Sequence, residues 1–415
     1  MKTKILRILY DMRNQPVIAW VTIIGTALSI FLIMTVVMMQ QVSILPYAPE
    51  SNRDRMLYGC NMHTTDVNGN GDSSSRLSLK SARYLYEDLD GVEAVSYVEH
   101  GYTPVDAKGI TDKTLTVHFR TTDDIFWKIF DFDLLAGRYY NADEVDAKRN
   151  LAVVTESVAR ELFGDENPVG QHFELDHNDY ELIGVVADVS ILASQAYGQV
   201  FGPLKDSTWG DDGYFGNVMA AMLVDEGVDF EHVREQVKGR YAAMDGELEA
   251  DGKKTVYHNA PYDQETVATG LDGSNSTPNP GRARTVRLVI YIILLIVPAI
   301  NLSSMLHSRL RRRVNEIGIQ RAFGCTRKRI ISDIISESLI VTLIGGLIGL
   351  IFAIVFALFY DGLYDPGARP ALSMLVSPQI FVYAFGACFI LNILSAAAPA
   401  WQASRLNPVE AINAK

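Results

Sequence analysis

Residues Val17 to Met39 form a run of 23 positions without a single charged side chain. As a helix this run is roughly 34 Å long, enough to cross a hydrocarbon core of about 30 Å. A cleaved leader would have an apolar core of only about 7–15 residues followed by a small-residue cleavage site. Met38-Met39-Gln40-Gln41 offers no such site. Lys2, Lys4, Arg7 and Arg13 precede the run, which places the N-terminus in the cytoplasm and the chain after it outside.

Charge is distributed to match. Residues 41–285 hold 42 acidic and 21 basic side chains, a net −21; with −12 over the whole chain, the rest carries +9. An exported part this acidic would repel phosphate, which argues against nucleic-acid binding, and the basic remainder suits cytoplasm and anionic lipid. At 415 residues and 48% hydrophobic, the composition fits a membrane protein with a large soluble part. Cys60, Cys325 and Cys388 fall in three different environments, so no intrachain disulfide is expected, and neither a CxxC pair nor a zinc spacing occurs.

The exported stretch reads as α+β. Ser81–Leu89 carries apolar residues at helical intervals and stops at Gly91, while Leu115, Val117 and Phe119 alternate as in a half-buried strand. Leu151–Thr155 predicts a strand, Glu156–Phe163 a helix, and Gly164–Gly170 a turn before strands near His172–Leu175 and Tyr180–Val189. Asp229–Met244 predicts a helix with Phe230, Val233, Val237 and Tyr241 on one face, ahead of a strand at Thr255–His258. The acidic pairs Asp123-Asp124 and Asp211-Asp212 lack calcium-loop spacing. Asp66–Asp72 (DVNGNGD) imitates such a loop without its closing Glu, so a polar turn is the better reading. No metal ligand and no catalytic residue is assigned.

Leu271–Arg284 is rich in Gly, Ser, Asn and Pro and delivers the chain back to the bilayer. The expected order is a cytoplasmic N-terminus at 1–16, a first span at 17–40, the exported domain at 41–285 and a second span at 286–306. A basic cytoplasmic segment at 307–336, a third span at 337–360, a short external loop at 361–377, a fourth span at 378–402 and a cytoplasmic tail at 403–415 complete it. The fold class is thus an α-helical membrane protein with four transmembrane helices and a large α+β domain inserted between the first and second. Pro298 and Asn301 make the second span either a pivot or a helix with a tolerated proline. Gly345, Gly346 and Gly349 give the third span a small-residue face suited to close helix packing.

The segment Arg309–Arg329, basic and trapped between apolar runs, is either a topology-setting loop or a docking helix. Its phrase NEIGIQRAFGCTRKRI from Asn315 resembles the coupling segment of MacB/FtsX-like ABC transporter permeases. FDFDLLAGRYY from Phe130, LAVVTESVARELFGDENPVGQHF from Leu151 and YELIGVVADV from Tyr180 resemble the periplasmic core domain of the same family, and PAWQASRLNPVEAINAK from Pro399 resembles its C-terminus.

The resemblance implies a non-catalytic permease subunit of the mechanotransmission class in a bacterial inner membrane. Asn315, Glu316, Ile317, Gly318, Ile319, Gln320, Arg321, Ala322, Phe323 and Gly324 would then dock on an ATPase. No GxxxxGK[ST] phosphate loop occurs, so the ATPase is expected on another chain and binds the ATP and Mg, with no cofactor on this one. Implied partners are that ATPase, a second permease copy or paralogue, membrane lipid and, as further candidates, a periplasmic adaptor and outer-membrane channel. Two functions follow. One is export or extraction of a peptide, lipoprotein, lipid or drug-like substrate; the other is FtsX-like activation of a periplasmic cell-wall hydrolase without transport. Of the docking residues, Ile317, Ile319, Ala322 and Phe323 are expected to enter the partner, with Glu316 and Arg321 at the rim.

Overall fold

In the computed structural model, residues 16–359 are described apart from 69–72, 112, 206–207, 210–212, 250–251, 269–277 and 313, together with scattered positions between 382 and 401. The chain divides into two compact units, one holding Val42–Ala283 and the other holding Met1–Gln41 and Arg284–Tyr360.

The organising strand of the first unit is Val218–Val224, VMAAMLV, every residue of which is buried. Successive side chains of a strand point to opposite faces. Val218, Ala220, Met222 and Val224 therefore enter one core, while Met219, Ala221 and Leu223 enter a second on the other face. Such a continuous apolar run shows no alternation, which is why sequence periodicity passes over it. With the strands numbered β1 to β16 in chain order, this strand is β14. It lies antiparallel between β4 (Val92–Glu99) and β1 (Met56–Gly59), and β16 (Tyr262–Asp263) closes that end.

Two helices cover the first core. Leu79–Tyr86 starts two residues ahead of the sequence expectation because Ser78 Oγ accepts from Ser81 N at 3.1 Å. At its far end, Arg240 donates to the carbonyls of Tyr84, Glu87 and Asp88. Phe230–Leu248 buries Val233, Val237, Tyr241, Met244 and Leu248 at helical spacing and is capped by Asp229, whose carboxylate accepts from Glu231 N. The strand expected at Thr255–His258 lies slightly earlier, at Lys253–Thr255 (β15).

Beyond β4 the pairing closes into a ring. β6 (Thr114–Thr122), β5 (Thr103–Lys108), β9 (His172–Leu175), β10 (Asn178–Val186), β8 (Leu151–Thr155) and β11 (Val200–Pro203) pair in that order, and β11 returns to β6. The helix Glu156–Phe163 packs Val158, Ala159, Leu162 and Phe163 into the third core, with Val117, Val154, Leu175 and Leu182 from this ring. Both motif regions from Leu151 and Tyr180 are thus scaffold. Gly137 on β7 (Leu134–Gly137) faces Gly184 on β10 in register. A Cβ at Gly137 would sit 2.1 Å from Ile183 O, and its φ of +78° is left-handed, so both space and backbone require glycine.

Asp123 is structural. Its carboxylate accepts from Ser96 Oγ and Tyr97 N at 2.6 Å and from Phe126 N at 3.0 Å, and burial pushes its acid up to about 6. Asp211, Asp212 and most of the Asp66–Asp72 turn lie outside the described residues.

Among the described residues the second unit contains three long helices and one short one. Numbering the helices in chain order, α1 is Pro16–Ile44, α8 is Pro280–Arg312, α9 is Val314–Ala322 and α10 is Arg327–Phe359. Among the described residues, one stretch, Arg327–Phe356, is long and apolar enough to cross a membrane by length and composition, and Ile23–Val37 is a shorter apolar helix. The expected second span lies inside α8, which continues without a break through Pro298. The external loop, nearly all of the fourth span and the C-terminal tail fall outside the described residues.

At the entry to the first unit, Arg53 and Glu50 form an ion pair whose side chains have no solvent exposure. Arg53 also donates to Leu45 O, Tyr47 Oη and Leu192 O, and Glu50 accepts from Gln195 N and Ala196 N at 2.8 and 2.9 Å. Removing one partner strands a buried charge, whereas removing both does not. Glu50→Ala is expected to destabilise the unit by about 3–5 kcal/mol, and Glu50→Met with Arg53→Met to restore most of the loss. Thermal unfolding of the full chain in detergent measures both; equal losses would show that the pairing itself contributes little.

Candidate functional site

The basic segment becomes helix α9 followed by a tight turn. Gly324 has a φ of +88°, and two hydrogen bonds close the helix end, from Gly324 N to Arg321 O and from Cys325 N to Gln320 O. This crossed pair around a left-handed glycine is a Schellman cap, which satisfies carbonyls that the helix terminus leaves open. Helix α10 then starts at once, with Thr326 O accepting from Arg329 N and Ile330 N.

Packing decides which side of α9 is left outside. Ile317, 6% exposed, meets Ile330, Ile334 and Ala396, with Cys325, Ile331 and Ile335 around them. Gly318 is buried beside it, and Gln320 and Arg321 are half-buried. Glu316, Ile319, Ala322, Phe323 and Gly324 are exposed, Ile319 at 48% and Phe323 at 89%. Asn315 lies in the helix next to Glu316.

Glu316, Ile319 and Phe323 recur at i, i+3 and i+7 and share a face. Ile317 departs from the sequence expectation: it is an anchor of the chain's own core rather than a side chain offered to a partner. Sequence reasoning did not name Ile330 and Ile334 as its supports, although their spacing of four places them on one face of α10.

Farther along α10 the small residues meet α1. A Cβ at Gly345 would lie 2.9 Å from Thr26 Cβ and 3.1 Å from Ile23 O; one at Gly349 would lie 2.5 Å from Ala27 O. The helix backbones therefore approach more closely than any side chain allows. Gly346 is buried with them. Phe31 and Phe356 add an edge-to-face contact with ring centroids 5.6 Å apart. Among the described residues no group of three or more His, Cys, Asp and Glu side chains is placed to hold a metal ion.

Comparison with known proteins gives two family matches that together take in most of the chain. Residues 19–240 match the model of the MacB-like periplasmic core domain, and residues 288–408 match the FtsX-like permease C-terminal model. The macrolide export ATP-binding/permease protein MacB of Agrobacterium fabrum is 28% identical over 297 residues, covering 69% of this chain and 42% of that protein. That of Bdellovibrio bacteriovorus is 23% identical over 283 residues, covering 66% of this chain and 40% of that protein. The uncharacterized ABC transporter permease YknZ of Bacillus subtilis is 24% identical over 215 residues, covering 51% of this chain and 50% of that protein. The chain thus spans about two fifths of the length of the MacB relatives it matches. The crystal structure of the MacB periplasmic region from Actinobacillus actinomycetemcomitans aligns with 53% of the chain at a TM-score of 0.36 and 15% identity, too distant to bear on the site.

Gly345→Leu and Gly349→Leu are each expected to cost about 1–3 kcal/mol through overpacking against α1. Leu347→Ala, at a position 53% exposed, is expected to change stability by under about 0.5 kcal/mol. Unfolding midpoints in detergent separate the two; equal shifts for the three variants would mean that this face makes no close contact.

Proposed function

The chain belongs to the MacB/FtsX-like family of ABC transporter permeases, and from that membership we propose that it is the membrane subunit through which a separate ATPase drives its periplasmic domain. Four spans with both termini in the cytoplasm accommodate this role. The work done is export or extraction of a peptide, lipoprotein, lipid or drug-like substrate, a reading supported by the match to relatives named as macrolide exporters. ATP and Mg belong to the partner; this subunit performs no chemistry of its own.

The single observation behind the coupling role is the exposure of Phe323 at the capped end of α9, with Ile319 on the same face. Burying a Phe side chain is worth about 1.5–3 kcal/mol relative to leaving it exposed. A large ring held out from a helix whose other side is packed on Ile330 and Ile334 is a preorganised anchor. Its placement suits a groove in an ATPase subunit, with the Glu316 side chain at the rim. Nucleotide-driven movement of the ATPases would then reach the spans through α9. A periplasmic adaptor and an outer-membrane channel are candidates for completing an export route, and a second permease copy or paralogue for completing the dimer.

Phe323→Ala is expected to weaken ATPase copurification by about 2 kcal/mol, some thirtyfold in affinity. Ile317→Ala should act differently, lowering the stability of the membrane unit by about 2–4 kcal/mol through a cavity. Glu316→Lys and Gly318→Trp should abolish permease-stimulated ATP hydrolysis while the periplasmic domain stays folded. Copurification and hydrolysis by the reconstituted complex measure the effect. Unmodified levels with Phe323→Ala, Glu316→Lys and Gly318→Trp alike would reduce the segment to a topology-setting loop.

A further inference from the structure

Three consecutive cations, Arg327, Lys328 and Arg329, open helix α10 directly after the Gly324 turn. All three are exposed, and among the described residues their side chains make no hydrogen bond or ion pair. No Asp or Glu occurs between Glu316 and Asp333, so the stretch that carries Phe323 has no acid of its own nearby in sequence. Cations in the first turn of a helix are opposed by its dipole. The stability of α10 therefore does not account for them.

Packing sets where they stand. Ile330 and Ile334 turn one side of α10 toward Ile317. At about 100° per residue, Lys328 lies about 160° from Ile330, on the opposite side of the helix, with Arg327 and Arg329 about 60° and 100° to either side of Ile330. Hydrogen bonds from Gly324 N, Cys325 N and Arg329 N to Arg321 O, Gln320 O and Thr326 O close the turn between the two helices. Phe323, 89% exposed, is thus kept at most about 14 Å along the chain from the first cation.

Depth decides which kind of partner reaches them. The uncharged part of α10 begins at Ser338, ten residues after Lys328, which is about 15 Å along a helix. The headgroup layer on one side of a bilayer is roughly 5–8 Å thick. With Ser338 at the edge of the hydrocarbon, the cations stand beyond the headgroups, in water, where a soluble protein surface meets them. The positions at headgroup level are instead held by the acidic residues Asp333 and Glu337.

We propose that Arg327, Lys328 and Arg329 form a basic rim that recognises carboxylates bordering the ATPase groove into which Phe323 docks. Opposite charge then governs how fast the two subunits meet, and burial of Phe323 governs how long they stay together. Rim charges act mainly on association, whereas buried anchors act on dissociation. The proposal rests on the docking reading of α9, and the kinetics separate the two.

The full chain is reconstituted in phosphatidylcholine nanodiscs. Binding of the ATPase that copurifies with it, separated and then returned, is followed by stopped-flow fluorescence. Association is expected to slow at least about tenfold between about 20 and 500 mM salt, as the screening length shrinks from about 20 to about 4 Å. The variant with Arg327→Gln, Lys328→Gln and Arg329→Gln should associate at the high-salt rate throughout, with dissociation unchanged within about twofold. Arg327→Lys with Arg329→Lys should keep the unmodified association rate, because charge and not guanidinium geometry is read. Phe323→Ala should do the reverse of the triple variant, dissociating about thirtyfold faster while its salt dependence is retained. An unchanged salt dependence in the triple Gln variant, or its loss in the Lys variant, overturns the rim and leaves the docking reading to stand on Phe323. Salt dependence that appears only after phosphatidylglycerol is added to the nanodisc assigns the cations to lipid and also overturns the rim. If no ATPase binds, or if Phe323→Ala and the triple Gln variant both behave as the unmodified chain, docking and rim fall together.

Discussion

One strand buried on both faces governs the periplasmic domain. Val218–Val224 sends alternate side chains into two cores, and its neighbours β1 and β4 are fixed to it along their length. Because a shift of one residue would exchange the contents of the two cores, its register is strongly specified. The ring that continues from β4 through β6 inherits that register, and the glycine pair Gly137 and Gly184 lets β7 lie against it. Motifs that resemble the family serve this scaffold, with turns and close backbone contacts where a site might have been sought.

In the membrane unit the corresponding constraint is close approach. Bilayer lipid gives apolar helices no hydrophobic reason to associate, so contact area and small residues decide which surfaces meet. Gly345 and Gly349 let α10 pack on Thr26 and Ala27 of α1, and toward its N-terminal end Ile330 and Ile334 of the same helix hold Ile317. A single helix thereby supports both the packing of the spans and the orientation of α9. The Schellman cap at Gly324 shortens the path between the two helices, so Phe323 is held by backbone hydrogen bonds while its ring stays exposed.

The charged elements divide by location. The periplasmic domain is acidic, a buried Glu50–Arg53 pair secures its first residues, and basic side chains gather at the ends of the membrane helices. Arg53 and Arg240 each bind several backbone carbonyls, the first buried and the second at the surface of the domain, because a planar donor array can satisfy several acceptors at once.

By itself the sequence determined the general plan. Uncharged runs of bilayer length, the acidic excess of residues 41–285 and the basic segment after Arg309 mark a membrane protein with a large exported domain. Leu151–Thr155 and Glu156–Phe163 were legible to the residue, because strand and helix signals there are local and bounded by turn residues. The strand Val218–Val224 was not, since burial on both faces erases the alternation that reveals a strand. The basic segment after Arg309 could be located from its residues, but its inner and outer faces could not. Ile317 and Ile319 are the same residue type two positions apart, and only contact with Ile330, Ile334 and Ala396 turns the first inward and leaves the second, with Phe323, outside. Such a choice depends on side chains far away in sequence, and tertiary packing alone decides it.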